Sequence, residues 1–297
     1  MRRWILVCGA LALLLAATSA RSQSCTVIVN NLSSTTAYDP FSSTNNDTQG
    51  GILLTCTRAP SDQKFPANFW VGVGTGAACA GSAGRLKSGT SDCLTYALYQ
   101  NYSTCSSAWG GTTGILLANS NTKGSDTVTN PSPESASFCF RINALQTTAK
   151  PSSPSYTDTL TVEVRSTNNA GYLWGGTSFT LSTNVNAACS FTTPPGSLVI
   201  NYTSFSTTAS TGTSNFALRC TNSTPYTLAL DQTSVTDNAL NLAYTLALSA
   251  SSGTGSGVAQ SYTITGTMAV GQAGTCASAS CTNNAATNKS RTLTVTY

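Results

Sequence analysis

Apolar and polar residues alternate over short runs along most of the chain, and clusters of Gly, Ser, Asn and Pro separate these runs. A period of two residues places successive side chains on opposite faces of an extended strand, and such clusters form turns. Beyond the N-terminal segment, no long run has the 3.6-residue period of a helix. The pattern therefore predicts an all-β protein, and strands at this spacing are typical of sandwiches of two packed sheets. The predicted strands are Thr26–Val29, Gly51–Thr55, Asn68–Val73, Leu94–Tyr99, Ser137–Ile142, Thr159–Val164, Ser197–Ile200, Asn215–Arg219, Tyr226–Leu230, Leu242–Leu248, Tyr262–Met268 and Thr292–Tyr297.

One arrangement of cysteines and strands occurs twice. Cys25 and Cys56 are 31 residues apart, and so are Cys189 and Cys220. Each half then ends in an alternating strand, over residues 158–164 and 291–297. The repetition predicts two tandem β-domains, over residues 21–166 and 189–297, with a linker at residues 167–188.

The N-terminus has the pattern of a secretory signal peptide. Two basic residues, Arg2 and Arg3, precede an apolar run over Trp4–Ala17, and small residues follow at 18–20. This order matches the regions of a signal peptide, which we assign to residues 1–20. The apolar run is too short for a comfortable membrane span. The sequence therefore predicts a secreted protein.

Ten cysteines follow the signal peptide, six in the first half and four in the second. An even number in each half of a secreted chain predicts disulfides formed in an oxidising compartment. The candidate disulfides are Cys25–Cys56 and Cys189–Cys220, from their equal spacing, and Cys276–Cys281, by elimination. The remaining cysteines allow three pairings, all of which stay open: Cys79, Cys93, Cys105 and Cys139.

The charge and the residue types argue against several classes of function. Charged residues make up 8% of the chain and the formal net charge is +4, which is too weak to indicate a nucleic-acid or anionic-membrane partner. The chain has no histidine, so it lacks a frequent zinc ligand and the usual general base. No phosphate-binding loop or nucleophile motif is present. We expect no enzyme activity, no metal and no cofactor.

The linker contains a strand-like segment at Thr177–Asn186. Phe179, Leu181, Thr183 and Val185 fall on one face of an extended chain, so this row requires a surface to cover it. Two interpretations remain open. The segment completes the first domain, which we favour, or it is the first strand of the second domain.

Short motifs recur in order in both halves. Those of the first half are Ala37–Pro40, Gly51–Thr57, Gly84–Leu86, Leu94–Tyr99, Trp109–Gly110, Phe140–Ile142 and Tyr156–Val162. Those of the second half are Cys189–Phe191, Asn215–Thr221, Pro225–Leu230, Leu242–Leu246, Tyr262–Gly266 and Arg291–Tyr297. In this order the chain resembles two tandem domains of the spore coat protein U type, which also builds archaic chaperone–usher pili of Gram-negative bacteria. The second half departs from the pattern because it has no Trp-Gly pair and no arginine within Gly266–Met268.

The resemblance implies immunoglobulin-like sandwiches that lack their last strand. In such pilins a periplasmic chaperone fills the gap, and an outer-membrane usher then exchanges it for a strand from the next subunit. An added strand pairs the free backbone groups and covers the apolar strip of an open sheet edge. Applied to this chain, Thr177–Asn186 becomes the donor strand of the first domain. The second domain remains open, with Leu293, Val295 and Tyr297 as the edge of its acceptor groove. The alternative for this domain is an ordinary complete sandwich.

The same resemblance implies a place in the fibre. Only residues 21–24 lie between the signal peptide and Cys25, which is too few for a donor arm. We therefore expect a tip subunit at the cell surface, with the first domain as adhesin, Tyr102 as a candidate adhesion contact and a ligand that the sequence does not identify. Two alternatives are a structural spore- or cell-coat protein and a free secreted binding module.

Overall fold

The computed structural model describes residues 24–57, 68–74, 76, 79, 84–89, 92–101, 103–110, 114–118, 134–166, 171–237, 240–275, 280–283 and 290–297. The strands are β1 (Ser24–Val29), β2 (Leu32–Ser33), β3 (Asn46–Thr57), β4 (Asn68–Val73), β5 (Arg85–Ser88), β6 (Asp92–Asn101), β7 (Ser106–Ala108), β8 (Ile115–Ala118), β9 (Glu134–Ile142), β10 (Tyr156–Arg165), β11 (Leu173–Thr183), β12 (Cys189–Thr193), β13 (Ile200–Thr203), β14 (Ser210–Cys220), β15 (Pro225–Leu230), β16 (Ser234–Asp237), β17 (Leu242–Leu248), β18 (Ser252–Thr254), β19 (Gln260–Met268), β20 (Ser280–Asn283) and β21 (Leu293–Thr296). Over these residues no helix is long and apolar enough to cross a membrane. The signal peptide assigned to residues 1–20 lies outside the described residues.

Strands β1 to β11 form the first sandwich. Its strands follow the order β1-β3-β9-β6-β5-β10-β11-β2, with β4 and β8 beside β10 and β7 beside β6. Strand β6 joins the two layers, because its first half pairs with β5 and its second half with β9. Alternate residues of β3, β6 and β10 point inward, as their period of two predicts, and build one apolar core.

Strands β12 to β21 form the second sandwich around a separate core. One layer has the order β12-β14-β19-β17-β16, the other has the order β18-β15-β21, and β13 pairs with β20. The expectation of an all-β chain with two immunoglobulin-like sandwiches is confirmed.

A buried tyrosine and a glutamine hold the loops of the first sandwich together. The Tyr38 hydroxyl accepts a hydrogen bond from the Gln146 backbone N–H, at 3.0 Å. The Gln146 side chain accepts from the Thr95 N–H at 2.6 Å and donates to the Thr95 carbonyl at 2.8 Å. It also donates to the Asn143 carbonyl at 3.0 Å. The loop after β9 is thereby bonded to the middle of β6.

The second sandwich repeats this set of hydrogen bonds with the same atoms. The Tyr202 hydroxyl accepts from the Gln272 N–H at 2.8 Å. The Gln272 side chain bonds to the N–H and carbonyl of Ala243, at 2.7 and 2.9 Å, and to the Ala269 carbonyl at 3.2 Å. Tyr202 follows Cys189 by the same interval that separates Tyr38 from Cys25. The two sandwiches therefore share this set of loop hydrogen bonds as well as the spacing of their cysteines.

One predicted strand is misplaced. The sequence predicts a strand at Ser197–Ile200, whereas β13 begins at Ile200. The residues just before this segment are Pro194 and Pro195, which have no N–H to donate to a ladder. The chain therefore runs past the sheet over residues 194–199 before it enters one.

Candidate functional site

Strand β11 contains most of the predicted donor segment and lies against β10. It pairs antiparallel with β10, with Phe179 opposite Leu160 and Leu181 opposite Asp158. The four residues of the predicted row, Phe179, Leu181, Thr183 and Val185, are each 2% exposed or less. The three apolar ones belong to the first core. The row that the sequence leaves without a cover is thus covered by the first sandwich.

The opposite edge of β11 is bonded as well. It pairs in parallel with β2, and an isolated bridge joins Val185 to Tyr38. Beyond β2, the Ser34 N–H donates to the Ser182 carbonyl at 2.9 Å, and the Tyr38 N–H donates to the Asn184 carbonyl at 2.7 Å. Strand β11 therefore lies between β10 and the segment at residues 32–38, with partners on both sides.

Strand β11 begins earlier than the sequence predicts, at Leu173 instead of Thr177. Trp174, which the sequence places in the linker, is buried in the first core and packs edge-to-face on Phe69, with ring centroids 6.1 Å apart. A Cβ at Gly175 would overlap the Cys25 carbonyl, so glycine is required where β11 passes β1. The glycines that make this segment look like a linker are there because the backbones approach closely.

The last strand of the second sandwich, β21, corresponds to β10 of the first and has a partner on one edge only. It pairs antiparallel with β15, with Leu293 opposite Leu230 and Val295 opposite Leu228. Among the described residues no strand pairs with its other edge. An unpaired edge presents free N–H and carbonyl groups to an incoming strand.

The predicted edge residues are less buried than their counterparts in β10. Leu293 and Val295 are half-buried and Tyr297 is 58% exposed. The counterparts, at the same positions of the alternating strand, are Leu160, Val162 and Val164, none of which exceeds 2% exposure. In the first sandwich β11 lies beside these positions, whereas the edge of β21 is open over the described residues.

A cleft of about 720 Å³ lies beside this free edge. One wall is the segment at residues 194–198, which follows β12, and the opposite wall includes Leu230 and Leu293. Leu246 and Ile264 line it from the inner faces of β17 and β19. We call this cleft the second-sandwich groove. Its lining combines apolar side chains with polar ones, among them Ser214 and Arg291, and such a cleft beside a free strand edge suits an extended chain that inserts alternate side chains.

The equivalent position in the first sandwich is already occupied. Ile264 corresponds to Phe138, since each lies at the same interval before the glutamine that bonds to the buried tyrosine. The Phe138 ring packs edge-to-face on Phe179 of β11, with centroids 5.9 Å apart. Ile264 of the groove thus occupies the position at which Phe138 contacts a β11 side chain in the first sandwich.

One cation lies at the end of the groove. Arg291 lines it together with Ser290, and its Nη1 donates to the Ser290 carbonyl at 3.1 Å. The Arg291 Nε is buried and has no hydrogen-bond partner within the described residues. A buried unpaired donor is costly, and a backbone carbonyl of an inserted strand would satisfy it.

Four disulfides are present in the described residues. Cys25 bonds to Cys56 and Cys189 to Cys220, as their equal spacing predicts. The pairing that the sequence leaves open is Cys79–Cys93 and Cys105–Cys139. The predicted Cys276–Cys281 bridge lies outside the residues whose side chains are described.

The remaining candidate residues divide between the core and the undescribed part. Tyr102, the candidate adhesion contact, lies outside the described residues. Trp70 and Trp109 are buried. One described cluster has metal-ligand types, Asp47 with Cys105 and Cys139, but these cysteines are bonded to each other and offer no thiolate.

Sequence reasoning missed one wall and the inner lining of the groove. The run at residues 194–198 carries no alternation, and Ile264 is one of many apolar strand residues. The available signal was the Pro-Pro-Gly run that follows β12. This run ends β12 and leaves an edge of the second sandwich uncovered.

No curated protein sequence matches this chain. Among solved structures, the chain is similar to the CsuC–CsuE chaperone–tip adhesion subunit pre-assembly complex from archaic chaperone–usher Csu pili of Acinetobacter baumannii, at 13% identity and a TM-score of 0.42, over 92% of this chain and 100% of that chain. It is also similar to the CupB6 tip adhesin from Pseudomonas aeruginosa, at 10% identity and a TM-score of 0.37, over 92% of this chain and 94% of that chain. TM-scores this low transfer no feature of those proteins to this chain.

A protein-family model gives a more direct result. It covers residues 11–163 and ends within β10, so β11 and the whole second sandwich lie beyond the match. The matched segment is just over half of the chain. The model is that of the Spore Coat Protein U domain, and the chain belongs to this family.

Proposed function

We propose that this protein is a secreted pilus tip subunit that is assembled by strand complementation and mediates attachment or biofilm formation. The observation that carries the proposal is the free edge of β21 beside the second-sandwich groove. The same position in the first sandwich holds β11. One sandwich is thus closed by a strand of its own chain, and the other is open to a strand from a partner.

The closed first sandwich supports a terminal position in the fibre. Strand β11 occupies the site that a neighbouring subunit would need, and both of its edges are hydrogen-bonded. A subunit with one filled and one open groove accepts a single neighbour. The first sandwich then lies outermost and acts as the adhesin, on a surface ligand that remains to be identified.

The domain boundaries follow from this assignment. Residues 21–166 form the adhesin domain, residues 167–188 contain the linker and the donor strand, and residues 189–297 form a second, pilin-type copy of the same domain. The repeated tyrosine–glutamine hydrogen bonds support the second copy. The donor residues are Phe179, Leu181, Thr183 and Val185, and the acceptor edge is Leu293, Val295 and Tyr297.

The partners are those that an open groove requires before and after assembly. A periplasmic chaperone inserts a strand first, because a free apolar edge otherwise aggregates. An outer-membrane usher then exchanges the chaperone for the N-terminal strand of the next subunit. The protein travels through the periplasm to the cell surface.

A peptide experiment tests the open groove. A synthetic peptide with the sequence of residues 173–186 is added to the full chain, and thermal unfolding of the second sandwich is followed by calorimetry. The peptide raises the midpoint in a dose-dependent manner, since a ligand that binds only the folded state stabilises it. A control peptide with Phe179→Asp and Leu181→Asp has no effect. Equal midpoints with both peptides would contradict the proposal.

A structural coat protein is the second candidate, and the description of the family favours it. A coat protein requires no fibre, so it covers the cell or spore surface evenly, whereas a tip subunit lies at fibre ends. Immunogold labelling distinguishes the two. A free secreted binding module is the third reading, and it predicts a stable monomer without any chaperone.

A further inference from the structure

The contact between the two sandwiches has a specific chemistry. The Arg219 guanidinium lies over the Phe41 ring, with its Cζ 4.2 Å from the ring centroid. Beside it, the Asn222 side chain donates to the Thr148 carbonyl at 2.9 Å. A guanidinium over an aromatic face is attracted by the electron density of the ring. The second sandwich thus docks on the first through a cation and an amide.

The link from β11 into the second sandwich is short and bonded. The Thr221 hydroxyl donates to the Asn186 carbonyl at 3.2 Å, and the Thr221 N–H donates to the Ala188 carbonyl at 2.9 Å. Gly257 lies so close to the Thr147 carbonyl that a Cβ there would overlap it. An inserted strand, a short link and a docked body therefore form one unit.

The turn that carries Phe41 has a counterpart in the second sandwich. The carbonyl of the residue after Phe41 accepts from the Leu145 N–H at 3.1 Å. The carbonyl of the residue after Phe205 accepts from the Gly271 N–H at 2.9 Å. Phe205 also follows Cys189 by the interval that separates Phe41 from Cys25. The second sandwich therefore presents a phenylalanine at the position where the first one is docked.

Phe205 differs from Phe41 in being uncovered. It is 69% exposed, and Val270, next to the bonded Gly271, is 53% exposed. Phe205 also has a φ of +59°, which is unfavourable for a bulky side chain and has to be offset by its surroundings. The Phe205 N–H donates to the Gln272 carbonyl at 2.9 Å, so the two turns are joined, and exposed apolar side chains that lie together mark a contact surface, whereas isolated ones do not.

We propose that Phe205 and Val270 form the docking surface for the body of the next pilus subunit, which places a cationic side chain over the Phe205 ring. The proposal rests on the proposed function, because the strand of that subunit fills the second-sandwich groove. Its basis is the contact within this chain, where the body that follows β11 docks in this way on the first sandwich.

The occupant is a subunit of the same fold but not a second copy of this chain. Arg219 directly precedes Cys220, and the equivalent residue before Cys56 is Thr55. A threonine has no charge to place over the Phe205 ring. The partner is therefore a subunit with arginine or lysine directly before the second of its two paired cysteines.

A chain extension provides a defined probe. Residues 165–297 are appended as a second copy after Tyr297, which reproduces the connection from Val164 into β11. The appended strand then fills the groove, and the appended Arg219 comes to lie over Phe205. Two quantities are measured. The first is the thermal midpoint of the original second sandwich, whose groove the appended strand fills. The second is the rate of proteolysis at the link between the appended strand and the appended sandwich.

The expected result has a defined pattern. The extension raises the thermal midpoint. Phe205→Leu then raises the cleavage rate about fivefold, the loss expected for a ring–guanidinium contact, and Phe205→Tyr does not. Arg219→Gln in the appended copy has the same effect as Phe205→Leu, and the two changes together add nothing further. Leu116→Ala, at an exposed apolar residue of the first sandwich, leaves the cleavage rate unchanged.

The two proposals fail in different ways. If the midpoint rises but Phe205→Leu leaves cleavage unchanged, the docking surface is wrong and the groove stands. If the extension does not raise the midpoint, both are wrong. Phe41→Leu in the unextended chain tests the contact on which the inference is based. If it leaves the rate of cleavage between the two sandwiches unchanged, the Arg219–Phe41 contact does not stabilise their docking. The proposed docking surface is then wrong as well.

Discussion

Replacing Leu181 with alanine tests whether β11 belongs to the first sandwich. Leu181 is fully buried in the first core and lies directly opposite Asp158 of β10. A buried Leu→Ala change costs about 2–5 kcal/mol, through lost transfer energy and the cavity left behind. We take about 3 kcal/mol, because both edges of β11 are bonded and the strand cannot close the cavity.

The placement of tryptophan makes the assay specific. Trp70, Trp109 and Trp174 are all buried in the first sandwich, and residues 189–297 contain none. Tryptophan fluorescence during urea unfolding therefore reports on the first sandwich alone, while circular dichroism reports on both. With a slope of about 2 kcal/mol per M, the fluorescence midpoint falls by about 1.5 M.

Leu228→Ala is the matched control. Leu228 is a buried leucine in β15 and belongs to the second core. Its replacement therefore lowers the urea midpoint of the second sandwich, measured by circular dichroism, and leaves the fluorescence midpoint unchanged. If Leu181→Ala instead behaves like this control, β11 stabilises the second sandwich and the assignment of the donor strand is refuted.

Three further predictions concern single contacts. Gln272→Ala removes three hydrogen bonds and lowers the stability of the second sandwich by about 2–3 kcal/mol in calorimetry; an unchanged transition contradicts this. Burial and the hydrogen bond to Asp158 raise the pKa of Tyr96 above its ordinary value of 10. The unfolded chain loses the Tyr96 hydroxyl proton near pH 10, whereas the folded chain keeps it. The free energy of unfolding therefore falls by about 1.4 kcal/mol per pH unit above pH 10, and Tyr96→Phe reduces this slope in urea titrations. An equal slope in the two proteins refutes the argument. Replacing Cys105 and Cys139 with serine, which opens a loop of 34 residues, lowers the fluorescence midpoint by the equivalent of about 3–4 kcal/mol, and no shift would show that the loop entropy is irrelevant.

Two disulfides and the periodic strands were predictable from the sequence. Equal cysteine spacing indicated the Cys25–Cys56 and Cys189–Cys220 bridges, and the row at Phe179 and Leu181 indicated a strand that needed a cover. These signals are local, since they depend on residues a fixed interval apart in one segment. The start of β11 was not predictable, because Gly175 looks like a linker residue until the Cys25 carbonyl is placed beside it.

Features that join distant segments left no such signal. Gln146 is one polar residue in a loop, and its bonds to Tyr38 and Thr95 depend on how three loops meet. The Cys79–Cys93 pairing was one of three allowed by number, and only the fold selects it. The groove wall after β12 forms because β12 ends early. A periodic pattern indicates where a strand lies, but it does not indicate which surface an ended strand leaves uncovered.

The two bonded edges of β11 determine how this molecule carries a pulling force. A load that draws the second sandwich away from the first enters β11 at its end near Val185 and acts along the strand axis. The hydrogen bonds to β10 and to residues 32–38 lie across that axis, so they are loaded together in shear instead of being opened one by one. Rupture then requires many bonds to break at once, and the rate at which force pulls β11 out, more than the equilibrium stability, sets how long β11 stays inserted in the first sandwich.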